Sequence, residues 1–127
     1  MLLPHLYKVL SSSKIEEGKY EFIVEINPED SLFKGHFPGR PILPGVCTIL
    51  IVKECICSVL GKDLHFMNIA QCKFIGMVDP NIDNKLVITI SIKTENSDET
   101  VVNASINNSN RVVFKIRATL TEASYGK

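Results

Sequence analysis

The chain has 127 residues, with 14 Lys and Arg balanced by 14 Asp and Glu, and 45% of its residues are hydrophobic. This length and composition predict a single folded domain over residues 1–127, large enough to bury a core without disulfides or metal. The sequence has no basic run and no Trp, so it lacks an electrostatic footprint for nucleic acid or for an anionic membrane, and neither partner is expected.

The four cysteines, at positions 47, 55, 57 and 72, have no paired C-x-x-C spacing and no His at zinc-ligand distance. They are therefore predicted to be reduced core residues, and no metal site is expected. The N-terminus lacks the pattern of a secretory signal, and Lys53 and Glu54 interrupt the longest apolar run before it reaches the length of a membrane span. A cytoplasmic protein is the expectation.

Two strands are predicted at the start of the chain. Residues 6–15 are mixed in character and compatible with a first strand. From Lys19 to Ile26, apolar residues alternate with mainly polar ones at the period of a half-buried strand. The turn residues 27–30 end it, and residues 31–34 suit a short turn or helical piece.

The stretch from Gly35 to Gly61 combines a stiff loop with an apolar helix. Its first eleven residues contain three Gly, three Pro and His36, and a helix is predicted from about Val46 to Leu60, ended by Gly61. Backbone amides at the start of a helix are unpaired and carry the positive end of its dipole. An oxygen that gains negative charge would be stabilised there, beside His36.

The rest of the chain is strand-like. Alternating or apolar runs occur at 64–78, 86–92, 102–106 and 112–120, and turns at 96–98 and 107–110 separate the last three at hairpin spacing. One long apolar helix followed by such strands predicts an α+β protein, with an antiparallel sheet wrapped on the helix. The edge strands of that sheet need cover, so a homodimer or higher homo-oligomer is expected.

The motif H-F-P-G-R-P-I-L-P-G-V, His36 to Val46, resembles the signature of the 3-hydroxyacyl-acyl-carrier-protein dehydratases of the FabZ and FabA type. These enzymes have the hot-dog fold and read H-F-x-G-x-P-x-x-P-G at this place. Residues 72–80 look like a looser form of the family's second segment, so the resemblance covers most of the chain.

The resemblance implies an enzyme of fatty acid or related acyl-chain biosynthesis that removes water from a 3-hydroxyacyl thioester. The substrate is carried on the phosphopantetheine arm of an acyl carrier protein, no other cofactor is needed, and the tunnel lies at a dimer interface. The motif His of such enzymes takes a proton from C2, and the helix-start amide beside the last Gly polarises the carbonyl. These roles fall on His36 and Gly45, and the surrounding residues are predicted to contact substrate: Phe37, Gly39, Pro44, Val46 and Leu50.

The third catalytic group of the family, a carboxylate, is missing from its usual position in this sequence. In the family, a carboxylate of the partner's central helix protonates the leaving hydroxyl, and its position is Leu50 in this chain. Glu54 lies on the same helix face one turn later, about 6 Å along the axis. The hypothesis is that Glu54 has taken over the acid role, with a bridging water or a shifted substrate or loop, although such chemistry is sensitive to misplacement by ~1 Å.

Several alternatives remain open. Glu54 is equally well explained as a solvated or partner-facing residue beside Lys53, and Ser58 extends a polar stripe that faces either a cavity or solvent. His5 and His65 have no motif around them and are interpreted as structural or surface residues. The chain is either a dehydratase, which is favoured, or an impaired homologue that binds thioester or serves as a partner subunit, or a thioesterase on the same fold.

Overall fold

The computed structural model describes residues 5–35, 42–96 and 98–122. Within them lie six strands and two helices, in this chain order: β1 (Tyr7–Glu16), β2 (Lys19–Ile26), α1 (Leu32–Gly35), α2 (Gly45–Leu60), β3 (His65–Phe74), β4 (Lys85–Asn96), β5 (Glu99–Asn108) and β6 (Arg111–Thr121). All six strands join one antiparallel sheet in the order β1-β2-β4-β5-β6-β3. The α+β prediction and the hot-dog architecture are confirmed.

The central strands of the sheet direct alternate apolar side chains into one buried layer. On β4, the alternate residues Leu86, Ile88 and Ile90 are each fully buried. Because successive side chains of a strand point to opposite faces, this alternation places one face of the central strands against the core. The β5–β6 turn consists of Ser109 and Asn110, both with positive φ, which matches the twist of a tight hairpin.

Helix α2 packs its buried side into the same core as the sheet. Six of its residues are buried: Cys47, Thr48, Ile51, Val52, Cys55 and Ile56. Pro44 precedes the helix in an extended conformation, and Gly61 ends it at φ 64, with its N–H donating to the carbonyl of Cys57 at 2.8 Å. Gly61 suits this position because a residue without Cβ adopts the left-handed conformation without a steric penalty.

The two outer strands, β1 and β3, differ in what they expose. Nine of the ten residues of β1 are exposed, and they include three serines and two lysines. The other edge carries a denser apolar surface, formed by β3 and the segment after it: Met67, Ile69, Phe74, Ile75 and Met77. Among the residues that the structure describes, each of these two strands pairs with one neighbouring strand, as expected for the edges of an open sheet.

The cysteine prediction is only partly right. All four thiols are free; Cys47 and Cys55 are buried, whereas Cys57 and Cys72 are only half-buried. Cys57 faces away from the centre of the buried side of α2, and Cys72 lies on an edge strand, so neither is enclosed on all sides. No helix in the described parts of the chain has the length and hydropathy needed to cross a membrane.

Candidate functional site

The predicted site residues divide into two groups. His36, Phe37 and Gly39 lie in 36–41, outside the described residues. The other five residues belong to helix α2 or to the residue that precedes it: Pro44, Gly45, Val46, Leu50 and Glu54.

Leu50 and Glu54 line a cavity of about 730 Å³ between helix α2, the first two strands and the start of β3. We call it the Glu54 cavity. Ser58 also lines it, so the polar stripe of the helix faces this space. Its other lining residues are Tyr7, Val9, Phe22, Lys53, Cys55, Cys57, Gly61, Lys62, Asp63 and His65.

The carboxylate of Glu54 is held by a tyrosine. The hydroxyl of Tyr7, on β1, donates a hydrogen bond to Oε1 of Glu54. Glu54 is half-buried, and Tyr7 is only 5% exposed. The alternative of a merely solvated Glu54 is therefore wrong: its side chain turns along the helix flank toward the first strand.

Burial shapes the acid–base properties of this region. Desolvation raises the pKa of Tyr7 far above its usual value, and the hydrogen bond and negative charge of Glu54 raise it further. The phenol therefore keeps its proton throughout the physiological range and stays a hydrogen-bond donor. Burial, with a smaller contribution from the Glu54 charge, also raises the pKa of the Cys55 thiol to about 12, so this thiol is neutral at physiological pH.

The start of α2 lines a second, separate cavity. Pro44 and Gly45 border a space of about 530 Å³, together with Thr48 and residues of the sheet. We call it the Gly45 cavity. The amides of Cys47 and Thr48 donate to the carbonyl of Pro44, whereas those of Gly45 and Val46 have no carbonyl one turn earlier in the helix. The first turn has no acidic residue that would neutralise the positive end of the dipole.

Gly45 is also where an aromatic ring approaches the helix backbone. A Cβ atom placed on Gly45 would lie 2.7 Å from Cε1 of Phe74, at the end of β3. The ring of Phe74 packs against Phe114, with centroids 5.1 Å apart. The space created by the missing side chain of Gly45 is thus filled by Phe74, and Val46 points outward with 63% of its surface exposed.

Within one chain, the predicted oxyanion donor and the predicted acid lie in different cavities. Gly45 and Glu54 are nine residues apart, which at 100° per residue places them on opposite flanks of α2. Each chain thus presents a cavity with a carboxylate and a cavity with helix-start amides. If one active site uses both groups, they have to come from two chains.

Two residues of this region were missed by the sequence analysis. Tyr7 had no motif around it, and the mixed pattern of residues 6–15 did not show which face of that strand would be buried. Phe74 was noticed only as part of the looser second segment. In hindsight, Tyr7 had one weak signal: it is an aromatic residue near the start of an otherwise polar strand, and such a residue usually needs burial.

The described residues contain no group of three or more His, Cys, Asp or Glu side chains arranged to hold a metal ion. Two pairs of titratable groups involve residues that line the Glu54 cavity. His65 Nε2 lies 3.9 Å from the carboxylate of Asp63, and Lys62 Nζ lies 3.5 Å from that of Glu122.

Comparison with known proteins decides the family. The sequence model of the ApeI-like family, described as ApeI dehydratase, matches residues 12–115. The chain belongs to the ApeI-like dehydratase family. Among curated relatives of this ApeI-like chain, the FabZ 3-hydroxyacyl-acyl-carrier-protein dehydratase of Ligilactobacillus salivarius is 32% identical over 102 residues, covering 70% of the chain and 71% of the relative.

Similar dehydratases occur in other bacteria. The FabZ protein of Rhizorhabdus wittichii is 32% identical over 104 residues, covering 72% of the chain and 66% of the relative. A third, from Novosphingobium aromaticivorans, is 31% identical over 93 residues, or 63% of the chain and 59% of the relative. The ApeI-like chain thus spans about two thirds or less of the length of these two relatives.

Solved structures support the fold. The dehydratase heterocomplex ApeI:P from Xenorhabdus doucetiae superposes with a TM-score of 0.76 at 20% identity, covering 90% of the ApeI-like chain and 96% of the other. A Haemophilus influenzae thioesterase superposes with a TM-score of 0.64 at 15% identity, covering 99% and 87%. The architecture is therefore shared by dehydratases and thioesterases, and it does not distinguish between the two activities.

Proposed function

We propose that this protein is a dehydratase that removes water from a 3-hydroxyacyl thioester and yields the trans-2-enoyl thioester. The observation that carries the proposal is the placement of Glu54: in a chain of a dehydratase family, its carboxylate lines a largely apolar cavity and is held there by Tyr7. An acyl chain suits such walls, and a carboxylate among them suits proton transfer.

The chemistry needs three groups. A base removes a proton from C2 of the substrate, the thioester carbonyl oxygen gains negative charge, and the C3–O bond breaks while the departing hydroxyl receives a proton and leaves as water. We assign the base to His36, the stabilisation of the carbonyl oxygen to the amide of Gly45, and the proton for the hydroxyl to Glu54. An amide at a helix start is suited to its role because its partial positive charge is already in place when the oxygen becomes negative.

The substrate is proposed to arrive on the phosphopantetheine arm of an acyl carrier protein, as the names of the FabZ relatives indicate for those enzymes. The site is proposed to form between two copies of the chain. The separation of Gly45 and Glu54 on opposite flanks of α2 supports this, because a second chain would bring an amide-bearing flank to a carboxylate-bearing flank. The exposed apolar residues of β3 provide a surface for such pairing.

The Leu at position 50 supports a second candidate function. Leu50 lines the Glu54 cavity and has no group that exchanges a proton. In this alternative the chain binds thioester, or completes the site of an active homologue, without turnover of its own. The solved ApeI:P assembly is, by its description, a dehydratase heterocomplex, and this supports pairing with a second, different chain as one form of this alternative.

The test is to follow the interconversion of 3-hydroxyacyl and trans-2-enoyl carrier protein by mass spectrometry. If the proposal is right, the wild type turns over, His36→Ala abolishes turnover, and Glu54→Gln lowers kcat by about 100-fold or more, in line with the loss of a general acid. The matched control is Glu16→Gln, which makes the same change on the exposed face of β1 and should leave kcat unchanged.

Two outcomes contradict the assignment in different ways. An inactive wild type whose Leu50→Glu variant becomes active supports the impaired homologue. If the wild type is active and Glu54→Gln leaves kcat unchanged, the protein is a dehydratase in which Glu54 has no part in the mechanism. A thiol-specific reagent run in parallel reports release of the carrier thiol, and rapid release without dehydration would identify a thioesterase.

A further inference from the structure

Tyr7 has a different environment from the rest of its strand. Of the ten residues of β1, it alone is buried, and the other nine are exposed. The backbone of Tyr7 pairs with Ile26 of β2, whose side chain is fully buried, so the position of the Tyr7 ring is set by the sheet and the core. Val9 lies on the same side of β1 two residues later and lines the same cavity.

The hydroxyl at the end of this rigid ring reaches the helix. It donates to Oε1 of Glu54, which is 47 residues away in the chain. A tyrosine side chain has two rotatable bonds, and its ring is buried here, whereas glutamate has three and adopts many rotamers when nothing holds it. The hydrogen bond therefore places the flexible carboxylate at a position that the sheet determines.

This bond does not exhaust what the carboxylate can do. A carboxylate offers about four acceptor sites on its two oxygens, so accepting the Tyr7 hydroxyl is compatible with a further hydrogen bond to a ligand. The cavity wall includes the apolar side chains Val9 and Phe22 from the sheet and Leu50 from the helix, and it also has a polar part formed by Lys53, Ser58, Lys62, Asp63 and His65. A hydroxyl group on an acyl chain that lies against the apolar part would have the Glu54 carboxylate as an acceptor.

We propose that Tyr7 is a positioning residue, whose hydroxyl fixes the Glu54 carboxyl group so that its second oxygen hydrogen-bonds to the 3-hydroxyl group of the substrate. The oxygen accepts this hydrogen bond when the group is ionised, and it donates it when the group carries the proton that the leaving hydroxyl receives. This inference rests on the proposed function for the choice of a 3-hydroxyacyl substrate. It makes the recognition of the hydroxyl, and not only proton transfer, depend on β1. It also gives the displaced carboxylate a fixed geometry, which a group one turn away from the family position requires.

The test measures binding without turnover. Calorimetry compares two pantetheine amides, 3-hydroxyoctanoyl and octanoyl, in which an amide replaces the thioester and resists elimination because its C2 proton is less acidic. The wild type should bind the hydroxylated amide about 10-fold more tightly or better, since a hydrogen bond to a charged acceptor is among the stronger kinds. Tyr7→Phe keeps the buried ring and removes only the hydroxyl, and it should lose most of that preference while its affinity for the octanoyl amide is retained.

Two further variants make the result specific. Glu54→Gln in the Tyr7→Phe background should cause little additional loss of preference, because both changes remove the same interaction. Tyr20→Phe deletes a hydroxyl from the neighbouring strand β2, outside the residues that line the Glu54 cavity, and it should leave the preference unchanged.

Each outcome decides the proposal. It is overturned if the wild type shows no preference for the hydroxylated amide, or if Tyr7→Phe keeps that preference. It is also overturned if Tyr7→Phe weakens the binding of both amides equally, because a purely structural role gives this result. A retained preference in a wild type that catalyses no dehydration would contradict the proposed function and leave this inference standing.

Discussion

The ring of Phe74 occupies the place where any residue other than glycine at position 45 would carry its side chain, since a Cβ on Gly45 would lie 2.7 Å from Cε1 of that ring. The absence of a side chain at Gly45 therefore serves packing between the helix start and β3 in this chain. Whatever approaches the amide of Gly45 does so beside this aromatic ring, which is 57% exposed.

The effect of Gly45→Ala on the free energy of unfolding should change sign when Phe74 is removed. In the wild type the new methyl group forces the ring to move, and we expect a loss of about 1 kcal/mol in the free energy of unfolding, at the low end for overpacking because the ring is partly exposed. In a Phe74→Ala background the same change should stabilise by about 0.5–1 kcal/mol, because alanine favours a helix over glycine by about that amount. Urea unfolding of the four proteins measures both values. Equal effects in the two backgrounds would show that the contact with Phe74 does not govern this position.

The edge strand β3 is expected to mediate self-association. Ile69→Lys places a charge on an exposed apolar strand, and a charge on an edge opposes pairing with a second chain. Light scattering after gel filtration should show a dimer for the wild type and a shift toward monomer for the variant. The matched control is Ile15→Lys on β1, the opposite edge, where the side chain is 50% exposed and the mass should not change. A monomeric wild type, or equal effects at both edges, would remove β3 from the interface.

The buried thiol of Cys55 predicts an alkaline loss of stability. Its pKa is raised from 9.0 to about 12 by burial and by the Glu54 charge, so between these values the unfolded chain releases a proton that the folded chain retains. Stability from this group is therefore complete below pH 9 and falls as the pH rises toward 12, by about 1 kcal/mol between pH 9 and 10. Tyr7, whose pKa is also raised, adds to the loss above pH 10.

Cys55→Ala should make this part of the pH dependence shallower. Urea unfolding at pH 7, 8, 9 and 10 would show a constant difference between wild type and variant at the two lower values, from the lost packing alone. At pH 10 the difference should be smaller than at pH 7 by about 1.4 kcal/mol, and about 1 kcal/mol of this change falls between pH 9 and pH 10. Parallel curves over the whole range would mean that Cys55 ionises as easily in the folded protein as in the unfolded chain.

Asn108 is expected to be a sensitive structural position. It is 4% exposed, and its Nδ2 donates to the carbonyls of Asp83 at 3.0 Å and Lys85 at 2.9 Å, which ties β5 to the start of β4. Asn108→Ala leaves both carbonyls without this donor and should cost about 1–3 kcal/mol. Asn108→Asp should cost more, since it also directs a negative charge at two carbonyl oxygens.

The control for this pair is Asn103→Asp, at an exposed position of the same strand, where the change should alter the free energy of unfolding by less than about 0.5 kcal/mol. Thermal or urea unfolding gives the order of the three variants. An aspartate at position 108 that is tolerated as well as alanine would mean that water replaces the two hydrogen bonds.

The sequence by itself determined the elements and the family. Alternation with a period of two predicted β2 and β4–β6, because one face of each strand meets the core. The predicted helix, 46–60, begins one residue later than the observed Gly45–Leu60 and has the same end, because Gly61 terminates the helix. These signals are local, so they can be read without knowing the fold. The motif from His36 to Val46 indicated the dehydratase family for a similar reason: it is a continuous stretch whose residue types follow one another at fixed spacing.

Only the tertiary structure decided how the residues of the site are grouped. Whether Glu54 is solvated or held depends on a contact with Tyr7 across 47 residues, and that contact exists because β1 pairs with β2 beside the helix. The packing of the Phe74 ring against the backbone of Gly45 likewise depends on where β3 ends relative to the start of α2. Local periodicity determines which face of an element is buried, but it carries no information about which distant side chain meets that face, because that depends on the order of strands and the curvature of the sheet.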